Sequence, residues 1–121
     1  MSDAGNGGFI AKVVGPKLRW RKYKARVERL PSNYREAVEA IERYTMHFVP
    51  IDTDREVAKY EDLVDLFEQA AADGTPIRQI VGADPVEFVE TFVKNYTEGG
   101  FVPARARKQL IEAIARAGSR G

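Results

Sequence analysis

All six prolines of this chain fall where a 3.6-residue apolar period breaks off or restarts. Proline lacks the amide proton that a helix interior needs, and it pushes the preceding residue out of the helical region. The chain therefore reads as helices cut to length by proline. Pro16 suits the first turn of one helix, Pro31 ends it, and Pro50 ends the next. Pro76 opens a short turn, Pro85 sits at the first position of a further helix, and Pro103 starts the last.

Between these marks the apolar residues recur at helical spacing. Trp20, Tyr23, Val27 and Leu30 line one face of a helix from Pro16 to Leu30. Tyr34, Ala37, Val38, Ile41, Tyr44, Thr45 and Phe48 line the second, with Asn33-x-x-Glu36 resembling a capping box. After the loop Ile51-Asp52-Thr53, Val57, Tyr60, Leu63, Val64, Phe67, Ala70 and Ala71 form a wide arc on a helix from about Asp54 to Asp73, stopped by Gly74. Asp84-Pro85-Val86-Glu87 is a strong helix start, followed by Val86, Val89, Phe92, Val93 and Tyr96 and an end near Glu98-Gly99-Gly100. Ala106, Leu110, Ile111, Ile114 and Ala117 mark the inner face of the last helix. No strand-like alternation and no repeat of 20–50 residues is visible. The expected fold is all-α, an irregular antiparallel bundle of about five helices. Residues 1–8 are expected to form a disordered tail, 9–117 one domain, and 118–121 a frayed end.

A chain of 121 residues with 44% hydrophobic content matches one globular domain. No apolar run approaches the roughly 20 residues of a membrane span, and the first residues lack the charged and apolar regions of a secretory signal. A cytoplasmic address is expected. Without cysteine there are no disulfides or thiolate sites.

Net charge is only +1, but the charges are segregated. Residues 8–30 carry eight Lys/Arg against one Glu, a local +7, and residues 51–74 carry eight Asp/Glu against two Lys/Arg, a local −6. On the first helix Lys17, Arg21 and Lys24 fall to one side of the apolar seam. Arg19, Lys22, Arg26 and Arg29 fall to the other side and the outer face. Leu18 lies nearly opposite Trp20 and is expected to meet the Phe9–Val14 segment. These seven cations are the candidate partner or phosphate contacts. Asp54, Glu61, Asp65 and Glu68 line the facing acidic candidate on the third helix.

Enzyme readings fare badly. His47 is the only histidine, no Gly-x-Gly-x-x-Gly or P-loop spacing occurs, and acids at helical spacing are usually a solvated or paired face. A di-iron bundle needs two Glu-x-x-His motifs, and Tyr44 stands three residues before His47. No metal site or cofactor is expected; a hard-cation site at Asp54, Glu61 and Asp65 stays open, although one helix alone rarely supplies enough oxygen ligands. The basic helix is open to three readings: pairing with the acidic helix within the chain or across a dimer, contact with a nucleic-acid backbone, or contact with an anionic membrane surface aided by Phe9, Ile10, Val13 and Val14. A small-molecule site would show as a cavity among Tyr34, Tyr44, Tyr60 and Phe67.

The runs WRKYKARVERLPSNYREAVEAIERY and EDLVDLFEQAAADGTPIRQIVGADPVEFVETFVKNY resemble a family of small bacterial proteins of unknown function. The resemblance spans about Phe9 to Ala117. It rests on Trp20 with Tyr23, Leu30-Pro31 before Tyr34, Glu61-Asp62-Leu63, Ala72-Asp73-Gly74, and Gly82-x-Asp84 before Glu87 and Phe88. It implies a bromodomain-like helical bundle whose members are often encoded beside PadR-type transcriptional regulators and sometimes beside transporters. Some members carry the automatic label "DNA-binding ferritin-like protein". The expected function is a non-enzymatic interaction module acting by protein–protein contact with a regulator or transport component, or with itself. The alternative is an accessory protein that binds DNA non-specifically through the Lys17–Arg29 helix, helped by Arg105, Arg107 and Lys108.

Overall fold

A computed structural model describes the backbone of residues 3–120 and the side chains of residues 15–119. Among these residues the fold is an all-α bundle of six helices with one small antiparallel strand pair. The helices are α1 (Asp3–Glu28), α2 (Ser32–Thr45), α3 (Thr53–Asp73), α4 (Ile77–Val81), α5 (Pro85–Phe92) and α6 (Ala104–Arg120). Strands β1 (Phe48–Pro50) and β2 (Thr97–Gly100) join the end of α2 to the approach to α6. The most extensive helix pairing is α2 against α6, followed by α1 against α3. No helix among the described residues is long and apolar enough to cross a membrane.

The predicted apolar arcs form the core. Tyr23 and Val27 of α1 and Leu30 just after it are buried, with Trp20 packed at the edge. Tyr34, Ala37, Val38, Ile41 and Tyr44 of α2 meet Tyr60, Leu63, Val64 and Phe67 of α3 in one cluster with Leu110, Ile114 and Ala117 of α6. Ile111 departs from its expected place. At 46% exposure it lies on the outer side of α6, one residue beyond the stripe that Ala106, Leu110, Ile114 and Ala117 occupy.

Several boundaries differ from the sequence expectation, each for a local reason. Pro16 lies inside α1 and does not open it. Part of the clash that proline imposes on its predecessor involves that residue's Cβ, which Gly15 lacks. The tail expected over residues 1–8 falls on Met1 and Ser2, outside the described residues, and on 3–8, given only as backbone at the start of α1. The proposed contact of Leu18 with Phe9–Val14, and the membrane role of Phe9, Ile10, Val13 and Val14, also rest on side chains outside the described residues. At the other end, α6 continues to Arg120, and Gly121 lies outside the described residues.

The Asn33 capping box does not form. Pro31 takes the cap position at φ −54°, ψ 149°, and its carbonyl accepts the Arg35 amide at 2.9 Å, which places Ser32 and Asn33 within the first turn. Asp52 and Asp84 cap α3 and α5 through their carboxylates, and Gly74 closes α3 at φ 71°.

The all-α fold is as expected, and the one element the sequence pattern does not show is the short strand pair. α5 stops at Phe92, a 3-10 turn follows over Val93–Asn95, and residues 97–100 turn into β2. Phe48 pairs with Gly100 and Pro50 with Thr97, with a register irregularity between them. Three- and four-residue strands are too short to show alternation. Gly99, at φ 103°, takes a conformation that favours glycine, and a Cβ on Gly100 would overlap the His47 carbonyl oxygen and stand 2.9 Å from Phe48 Cα. Gly100→Ala is expected to lower stability by about 2 kcal/mol, because backbone must move to admit one methyl. An unchanged urea midpoint would mean that the strands do not approach this closely.

Candidate functional site

Helical spacing sorts the cations of α1 into two sets. Arg19 and Arg26 are seven residues apart and so project from the same face, toward α3. Arg19 Nε and Nη2 donate to Glu61 Oε2 and Oε1 at 3.1 and 2.6 Å, and Nη1 lies 3.5 Å from Asp54. Arg26 Nε and Nη2 donate to Glu68 Oε2 and Oε1 at 3.0 and 2.6 Å, and Nη2 also reaches Asp65. These are bidentate forks, the geometry in which guanidinium binds carboxylate best. Hydrogen bonding from Arg19 holds the Glu61 carboxyl below its usual range, and the same bond raises the Arg19 guanidinium. Bonds to Glu68 and then Asp65 likewise raise Arg26. All four predicted acids of α3 are thus drawn to two arginines. Among the described residues no group of three or more acidic or histidine side chains gathers in a metal-holding arrangement.

Between the two forks sits an aromatic cluster. Trp20, Tyr23 and Tyr60 contact one another with ring centroids 5.0–5.3 Å apart. Beneath it lies a polar layer that sequence reasoning missed. The Tyr23 hydroxyl donates to Glu42 at 2.7 Å, Lys24 Nζ donates to the other oxygen of Glu42 at 3.0 Å, and Glu42 is only 6% exposed. Lys59 is fully buried, with its Nζ 2.7 Å from Glu56 and 4.3 Å from the Tyr60 ring centre. A signal for both residues was present. Glu42 lies four residues after Val38 and three before Thr45, and Lys59 four before Leu63, so both fall on apolar arcs. Burial, followed by the charge of Glu42, raises the Tyr23 hydroxyl, and burial raises Tyr60 to about 12. Burial lowers the Lys59 ammonium, and Glu56 partly offsets it.

The remaining cations face outward. Lys17, Arg21, Lys22 and Arg29 are exposed and make no ion pair among the described residues. Lys17 and Arg21 join Pro16, Trp20, Lys24 and Val57 around an open groove of about 540 Å³. Lys24 lies 5.5 Å from the centre of the Trp20 ring while holding Glu42. The groove therefore has a floor of Trp20 and Val57 and a rim of three cations. Lys22 and Arg29 lie outside it. Arg105, Arg107 and Lys108 belong to α6, whose main packing partners are α2, α4 and α5. The rings proposed for a small-molecule cavity point to different partners. Tyr34 donates to the Thr75 carbonyl, Tyr44 to Glu90, and Tyr60 joins the Trp20 cluster.

Arg26→Gln should cost about 1 kcal/mol at low salt and less at high salt, whereas Lys22→Gln and Arg29→Gln should leave the melting temperature unchanged. Equal effects from all three would show that the forks add nothing. For the buried lysine, Glu56→Gln should cost about 2 kcal/mol, since it leaves an ammonium buried without its carboxylate, while Lys59→Met should not destabilise. Because the folded state holds Lys59 below its ordinary value, the unfolded chain binds the proton more tightly. Stability contributed by this site should rise with pH up to about 10, and Lys59→Met should flatten that rise in urea titrations.

Comparison with curated proteins finds no match. A family model does match, over residues 11–115, which takes in the α1 seam, the acidic helix, the strand pair and most of α6. On that coverage the chain belongs to the family described as "Protein of unknown function (DUF1048)".

Proposed function

We propose that this chain is a non-enzymatic interaction module that docks an acidic segment of a partner protein in the groove on α1. The observation that carries the reading is the split of the basic helix. Arg19 and Arg26 are committed to α3, while Lys17 and Arg21 rim an aromatic floor and have no ion-pair partner among the described residues. Trp20 and Val57 offer a place for one apolar side chain, and the rim offers counter-charges for carboxylates on either side of it. Burying an aromatic anchor inside a charged rim is how compact protein interfaces gain most of their affinity. The resemblance to a family often encoded beside transcriptional regulators and sometimes beside transporters supports a regulator or transport component as that partner.

Nucleic acid fits the same surface less well. Four carboxylates of α3 answer only two guanidiniums, and Asp54 and Asp65 remain largely exposed, with side chains 87% and 60% accessible. A phosphate backbone crossing α1 would meet that acidic strip and would leave the Trp20–Val57 floor unused. A narrow peptide avoids the strip.

The test is fluorescence polarisation with an acidic peptide carrying one central phenylalanine, against the same peptide with lysines for its acids and against a DNA duplex. The acidic peptide should bind with affinity that falls as salt rises, and Lys17→Gln with Arg21→Gln should weaken it about tenfold at unchanged melting temperature. Tighter binding of the duplex at equal salt would move the reading to nucleic acid, and equal binding of the two peptides would sink it. Affinity capture from the native cell, repeated with the double variant, then tests the regulator or transport setting.

A further inference from the structure

A second concave site lies apart from the α1 groove, where α2 packs on α6. Ala40, Arg43, Tyr44 and His47 share one face of α2 and the turn after it. Ala106, Gln109 and Leu110 share one face of α6. Both helices carry alanine at this crossing, so the most extensive pairing of the bundle leaves a cleft of about 110 Å³. Its floor is apolar and closed: Ala40, Tyr44, Ala106 and Leu110 are all buried. Its rim is polar and open. Arg43, His47 and Gln109 are exposed, and none of their side chains has a hydrogen-bond or ion-pair partner among the described residues. Glu90 stands close by, but it accepts the Tyr44 hydroxyl at 2.8 Å and lies 3.8 Å from Arg107.

We propose that this cleft binds a small carboxylate with a short apolar tail. The Arg43 fork and the Gln109 amide supply donors suited to a carboxylate, and the floor supplies a surface that inorganic anions cannot use. Size limits the tail. An apolar cavity of about 150 Å³ holds benzene, so the smaller cleft holds a chain of roughly three or four carbons. A cationic head is disfavoured because it would meet Arg43. Occupation would bridge α2 and α6 and so stabilise the folded chain.

The experiment uses the full chain, labelled with 15N and titrated at constant ionic strength with butyrate, acetate, butylamine and inorganic phosphate. Butyrate should give saturable amide shifts confined to residues 40–47 and 106–110. Acetate, two methylenes shorter, should bind about tenfold more weakly. Butylamine should give no saturable shift, and phosphate should bind more weakly than butyrate. Arg43→Gln lies on the exposed rim and should keep the spectrum while weakening butyrate about tenfold. Absence of a saturable shift at tens of millimolar butyrate overturns the site. So does phosphate or butylamine binding as well as butyrate, or an affinity unchanged in Arg43→Gln.

Discussion

The α1–α3 seam depends on two guanidinium forks placed two helical turns apart. Arg19 and Arg26 clamp the acidic face of α3, and the Trp20–Tyr23–Tyr60 cluster fills the space between the clamps. Neither element would serve alone. An exposed ion pair is worth little by itself, and an aromatic pair adds only about 0.5–1.5 kcal/mol beyond the area it buries. Together they fix where along α3 the first helix lies, and therefore where the remaining cations point. The groove rimmed by Lys17, Arg21 and Lys24 is a by-product of that register. Function, on this view, is written in the charges that the seam does not use.

The buried layer beneath the cluster follows the same logic in reverse. Glu42 and Lys59 are charged groups on apolar arcs, and each is accepted because a neighbour completes it. Glu42 takes two donors, Tyr23 and Lys24, while Lys59 takes Glu56 and the face of Tyr60. Among the described residues no buried side-chain polar atom lacks a hydrogen-bond partner. Such completion costs more than an apolar filling would, and it ties α1 to α2 as well as to α3. Lys24 belongs to both systems. Its single charge cannot fully serve both Glu42 and a docked partner, so docking at the groove, as proposed, would be coupled to the order of this layer.

The helical arcs were legible in the sequence because burial repeats every 3.6 residues. Val38, Ile41, Leu63, Val64, Phe67, Leu110 and Ile114 stand where the period puts them. Asp84 and Gly74 were legible for a different reason, since capping is settled within one turn of chain. Pro16 was misread because its usual meaning depends on the residue before it, and here that residue is a glycine. The β1–β2 pair was hidden because its cause is non-local: Gly100 is small so that the backbone at His47, more than fifty residues away, can approach. For the site, composition singled out α1 and the acids of α3 that Arg19 and Arg26 meet. It could not divide seven cations into those held by α3 and those left free, because the division depends on the rotation of α1 about its axis once Trp20 is seated.

The pairing of α2 with α6 has a consequence for how the chain is made. The seam between α1 and α3 involves only the first 73 residues and can assemble while synthesis continues. The largest face of α2 has to wait for the last helix, which begins at Ala104. Until then Ala40 and Tyr44, which face Ala106 and Leu110 across the crossing, lack part of their cover, and β1 has no strand to pair with. A nascent chain therefore passes through an interval with an apolar flank open to solvent, the condition in which chains recruit chaperones or one another. The short strands, closing a loop from Phe48 to Gly100, then act as a late latch. They hold the final helix over a surface that was ready well before it arrived.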